Sequence, residues 1–166
     1  MPAAGAKADR TMCFQQVLDA WVSASRLFNS RAVVQWYREH ADSPFNDAAE
    51  RSMLAEIVGS GPIRLSDLAD AQSRSASNTS KMVQSLVAAG LVKRTIPEHD
   101  RRVTLLEPTE AGLALHHRIA ALDLKLLDRH FATFTDDEVK TFAELMQRFL
   151  ERVASWHEAG LDLEAK

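Results

Sequence analysis

From Thr11 to about His40 the apolar residues Phe14, Val17, Leu18, Trp21, Val22 and Phe28 recur at three- and four-residue spacing, which predicts one long amphipathic helix. It should end before Ser43-Pro44. Asn46 and Asp47 are suited to capping a second helix that carries Met53, Leu54, Ile57 and Val58 and breaks at Gly59-Ser60-Gly61-Pro62. Ile63-Arg64-Leu65 has room only for a strand fragment. Ser66 then offers a cap to a short helix ending near Ala71, with Leu68 and Ala69 inward.

After a turn at Gln72-Ser73, the stretch from about Arg74 to Ala89 gathers Met82, Val83, Leu86 and Val87 on one face and stops at Gly90. Its first half is polar throughout. Leu91 to Thr95 and Val103 to Leu106 are β-compatible runs flanking a charged segment, and so predict a hairpin with a long tip. Beyond Pro108, Thr109 caps a helix containing Leu113, Ile119, Leu122, Leu126 and Leu127. Thr135-Asp136-Asp137-Glu138 has the spacing of a capping box. The helix it opens carries a stripe of Val139, Phe142, Leu145, Met146, Phe149, Leu150 and Val153, and finishes near Trp156.

This pattern divides the chain into a loose tail at 1–10, N-terminal helices at 11–60, a small central unit at 61–108, C-terminal helices at 109–159 and a tail at 160–166. The central unit is a helix, a turn, a second helix and a hairpin. The terminal helices carry more apolar surface than a thin bundle buries by itself. A twofold homodimer whose terminal helices interdigitate would cover it.

The composition is that of an ordinary soluble protein: 166 residues, 46% hydrophobic and 26% charged, a length that supports one core without disulfides or metals. The first ten residues are small and polar, unlike a signal peptide, and no apolar run approaches the length of a membrane span. With a single cysteine, these features predict a reducing, cytoplasmic setting. The net charge of −3 argues at first against a nucleic-acid partner. Its distribution reverses that. Between Gly61 and Leu106 seven basic residues (Arg64, Arg74, Lys81, Lys93, Arg94, Arg101, Arg102) face four acidic ones (Asp67, Asp70, Glu98, Asp100), a balance of +3 that leaves −6 on the rest of the chain. A local basic surface of this kind can track phosphates.

A helix, tight turn and second helix present the second helix to a DNA major groove. Here that helix opens with Arg74-Ser75-Ala76-Ser77-Asn78-Thr79-Ser80-Lys81. Ser, Asn and Thr are weak helix formers, but their short side chains approach base edges closely, Asn pairs with adenine through two bonds, and Lys or Arg reaches guanine or phosphate. A solvated helix face explains the same composition equally well. The hairpin tip, His99-Asp100-Arg101-Arg102, taken alone is more commonly a solvated turn with local salt bridges, but beside a helix-turn-helix it favours DNA, because an arginine on a protruding hairpin fits the narrow minor groove and Asp100 can hold one arginine in place.

Leu65-Ser66-Asp67-Leu68-Ala69, then Met82 to Arg94, then Asp100-Arg101-Arg102 followed by Thr109-Glu110-Ala111-Gly112 resemble the MarR family of winged-helix transcriptional regulators. The resemblance implies a mainly α fold: a winged helix-turn-helix with a small β-hairpin wing, flanked by long helices that form a dimerisation bundle. It implies a dimeric DNA-binding regulator, usually a repressor on a pseudo-palindromic operator, and often released by a small aromatic or phenolic ligand. No other cofactor is implied. It places Ser75, Ser77, Asn78, Ser80 and Lys81, with Arg74 beside them, on the base-reading helix, and His99, Asp100, Arg101 and Arg102 on the wing. Asn78-Thr79-Ser80-Lys81 is richer in short polar residues than the family pattern, and Pro108 stands where a leucine is common.

Cys13-Phe14 is similar to the redox-sensing cysteine of one branch of the family, although the tyrosines of that branch are missing apart from Tyr37. A small packed thiol is the plainer explanation of Cys13. His116, His117 and His130 lack a metal-ligand spacing, and Trp21, Trp36, Tyr37 and Trp156 read as core or interface. No position is assigned to an effector. A protein-binding winged helix without DNA affinity is the alternative. No phosphate loop or nucleophile elbow points to an enzyme.

Overall fold

The computed structural model describes the backbone of residues 4–97 and 103–158 and the side chains of 9–97 and 103–155. Its elements are α1 (Ala4–Phe28), α2 (Arg31–Ala41), α3 (Ala48–Ser60), β1 (Ile63–Arg64), α4 (Leu65–Ala71), α5 (Ala76–Ala88), β2 (Val92–Thr95), β3 (Leu105–Pro108), α6 (Glu110–His130) and α7 (Asp136–Glu158). Two compact units divide inside α6, the first running through Leu122 and the second beginning at Asp123.

The single long helix expected over 11–40 is two helices, and the first begins at Ala4, inside the stretch read as a tail. The break has a local cause. Asn29 turns its amide onto the Ser25 carbonyl at 2.8 Å, and Ser30 caps α2 by accepting the Val33 N–H at 3.3 Å. Tyr37 therefore sits on α2, not on the helix of Cys13. At α3 the cap is Asp47, whose carboxylate accepts the Glu50 N–H at 2.9 Å, while Glu50 accepts the Asn46 N–H at 2.7 Å. The expected Ser66 cap of α4 is absent: Arg64 is the N-cap residue, and the Ser66 hydroxyl donates to Asp67.

The core of the first unit is made by Met53, Leu54 and Ile57 of α3, Leu68 of α4, Val83 and Leu86 of α5, Val92 and Leu106 of the sheet, and Leu115 and Ile119 of α6. Burial of Leu115 and Ile119 explains why this unit extends past residue 108 to Leu122. The three strands lie in the order β1-β3-β2, all antiparallel. Both hairpin strands start later than the apolar pattern predicts. Leu91 is taken by the turn that ends α5, where its N–H reaches the Leu86 carbonyl at 2.9 Å. At the other end Thr95 pairs with Leu105, so Pro97 would fall opposite Val103, and a residue without an N–H cannot extend the ladder.

Thr109 joins the sheet to α6. Its N–H donates to the Leu91 carbonyl at 3.0 Å and its hydroxyl to the Gly90 carbonyl at 2.6 Å, and the same oxygen accepts the Gly112 N–H at 3.0 Å. The approach is so close that a Cβ on Gly112 would lie 2.1 Å from the Leu91 carbonyl oxygen. In the second unit Thr135 and Glu138 cap α7 reciprocally, as their spacing predicts.

Candidate nucleic-acid interface

The helix-turn-helix is α4, the turn Gln72–Arg74, and α5. The turn is a Schellman motif: the Ser73 N–H donates to the Asp70 carbonyl and the Arg74 N–H to the Ala69 carbonyl, both at 2.9 Å. Ser73 takes the left-handed conformation at φ 49°, a place where glycine is usual. A second Schellman motif closes α5, with Gly90 at φ 71° and with Leu86 and Leu91, its paired apolar residues, both buried. Both ends of α5 are thereby fixed.

Along α5 the buried residues are Thr79, Val83 and Leu86, a spacing of four and three that turns one face to the core. Thr79 is 0% exposed and its hydroxyl donates to the Ser75 carbonyl at 3.1 Å, so the polar start of the helix conceals one inward position. The opposite face is open. Ser77, Asn78 and Lys81 are exposed there, and Arg74 is exposed just before the helix. Ser75 is the N-cap, accepting the Asn78 N–H at 3.4 Å and lying 3.3 Å from the Ser77 hydroxyl, while Ser80 is half-buried beside the core face.

Gln84 is exposed at the position that continues Ser77 and Lys81 by another turn. It was not singled out from the sequence, although the same three-and-four spacing that finds the buried stripe also finds it. No acidic residue stands in the first turn of α5, so no carboxylate of that turn opposes an anion at the positive end of the helix dipole.

On the hairpin, Lys93 faces Glu107 directly across β2 and β3, and their side chains form an ion pair at 3.2 Å. The Thr95 hydroxyl donates to the other Glu107 oxygen at 2.8 Å. These contacts hold the Glu107 carboxyl below its ordinary value, the Thr95 hydrogen bond contributing most and Lys93 next. His99, Asp100, Arg101 and Arg102, the expected tip of the wing, lie outside the described residues. Cys13 is exposed on α1. Among the described residues no group of three or more His, Cys, Asp or Glu side chains is arranged to hold a metal, and no helix is long and apolar enough to cross a membrane.

Residues 48–104 match the MarR family. No curated protein matches the chain. Among solved structures, a MarR family protein from Bacillus stearothermophilus is similar with a TM-score of 0.70 at 19% identity, covering 88% of this chain and 97% of that one. Streptococcus pneumoniae FabT in complex with DNA is similar with a TM-score of 0.67 at 15% identity, over 86% of this chain and 98% of that one. A mutant MarR from E. coli complexed with operator DNA gives 0.54 at 24% identity, over 70% and 84%.

Proposed function

Because residues 48–104 match the MarR family, we propose that this chain is a sequence-specific regulator of transcription that binds double-stranded DNA. The observation that carries this reading is the division of α5 into two faces. One is locked into the core by Thr79, Val83 and Leu86, and the other offers Ser77, Asn78, Lys81 and Gln84 to a groove. That two structural neighbours are DNA complexes supports the same reading.

Asn78 and Gln84 supply amides able to pair with adenine, while Lys81 and Arg74 supply cations for guanine or phosphate. Ser77 and Ser75 extend the polar surface, Ser75 having its oxygen engaged in the cap. Ser80, half-buried, has a minor part. By the family likeness Arg101 and Arg102, preceded in the sequence by His99 and Asp100, would supply the minor-groove contacts.

The protein acts as a homodimer, and its operator is therefore pseudo-palindromic, with half-sites about 10 base pairs apart. The exposed apolar stripes on α1 and α7 support this, because side chains such as Phe14, Val17, Leu18, Leu145, Leu150 and Val153 are 40% or more exposed in the single chain. Repression, with release by a small aromatic effector, is the regulatory mode that follows from the family likeness. Selection of bound sequences from a random duplex pool tests the proposal. A palindromic consensus with that spacing is expected, and a pool that stays unenriched contradicts it.

A further inference from the structure

Five basic residues of the segment Gly61 to Leu106 lie among the described residues: Arg64, Arg74, Lys81, Lys93 and Arg94, all exposed. Among the described residues, only Lys93 of these five has a carboxylate within ion-pair range, that of Glu107. The pairing is built into the sheet. Lys93 and Glu107 are Cα partners in the β2-β3 register, and alternation along the strands places Arg64, Lys93, Thr95 and Glu107 on the same outward face. Each Glu107 oxygen has its own partner, Oε2 the Lys93 ammonium at 3.2 Å and Oε1 the Thr95 hydroxyl at 2.8 Å. The Thr95 bond fixes the carboxylate, and the carboxylate in turn fixes Lys93 at the root of the wing.

We propose that Glu107 withholds Lys93 from the DNA backbone, so that this lysine adds no phosphate contact and the sequence-blind grip of the protein is set by its other cations. This rests on the DNA-binding reading above. Each phosphate a protein neutralises steepens the dependence of log affinity on log salt by about 0.9, irrespective of base sequence. A paired lysine releases no counterion, because its charge is already balanced, whereas an unpaired one at the same place would.

The experiment is a salt titration of the full-length protein on a random-sequence duplex, from about 50 to about 200 mM salt. Glu107→Gln should steepen the slope by about 0.9, an additional loss of about threefold in affinity across that range. Lys93→Gln alone and the Lys93→Gln, Glu107→Gln pair should both keep the wild-type slope. Asp67→Asn, the same charge change elsewhere in the winged helix, should also keep it and so separates local release of Lys93 from a change in overall field. An unchanged slope in Glu107→Gln, an equal steepening in Asp67→Asn, or a slope shallower by about 0.9 in Lys93→Gln would each overturn the proposal. Should Glu107→Gln fail to fold, as judged by circular dichroism, Lys93→Gln still decides. A wild-type protein with no salt-dependent affinity would instead remove the DNA-binding reading itself.

Discussion

Gly112 occupies a tight joint, where the first turn of α6 presses on the Leu91 carbonyl. A methyl group there meets backbone and has no flexible neighbour to displace. Gly112→Ala should therefore destabilise the protein by about 1–3 kcal/mol, the usual cost of overpacking, and should loosen the hairpin root together with α6. Urea unfolding measures it, and a change within about 0.5 kcal/mol, the range of ordinary surface substitutions, would show that the joint is slack. In the sequence this glycine stands out only as part of a Thr-Glu-Ala-Gly motif. The reason for it is a contact with a residue on another turn, which no local pattern reveals. Thr79 makes the complementary point: its neighbours Asn78 and Ser80 have the same polar character, and only the helical phase shared with Val83 and Leu86 marks it as core.

At the level of elements, α7 shows how much a cap controls. The Glu138 carboxylate accepts the Thr135 N–H at 2.8 Å and the Thr135 hydroxyl at 2.9 Å, and these bonds to the charged form hold its pKa below the ordinary 4.5, the backbone bond contributing most. A carboxyl lowered on folding stabilises the protein fully above that ordinary value and loses the contribution as pH falls through the lowered one. The melting temperature of the wild type should fall further between about pH 6 and about pH 3 than that of Glu138→Gln, and equal falls would show that the box contributes nothing.

Elements with strong local signals were legible beforehand: the α7 box, the buried stripe of α5, and the apolar face of α3. The split between α1 and α2 was not, because apolar spacing continues across Asn29-Ser30 while two side-chain hydrogen bonds interrupt the backbone. The strand limits were hidden for a related reason. They depend on the Leu91 N–H being taken by the Leu86 carbonyl and on the missing N–H of Pro97, both matters of pairing and not of composition.

For the whole molecule, charge and apolar surface have separate places. The +3 of the segment from Gly61 to Leu106 lies in the winged helix, and the −6 elsewhere limits indiscriminate contact with nucleic acid. The exposed stripes of α1 and α7 predict a dimer of twice 18.5 kDa in sedimentation equilibrium at micromolar concentration. Val17→Glu with Leu145→Glu, both at exposed positions, should shift it to monomer without unfolding the winged helix, and a monomeric wild type would contradict the shared core. The central claim is that the outward face of α5 reads bases. Its most direct measurement compares the affinities of wild type and Asn78→Ala for the selected duplex and for a scrambled one at fixed salt. The wild type should prefer the selected duplex strongly, and Asn78→Ala should lose about tenfold or more of that preference, the worth of one good bidentate base contact, with scrambled-duplex affinity unchanged. Equal wild-type affinity for both duplexes, or an Asn78→Ala variant that discriminates as well as the wild type, would contradict it.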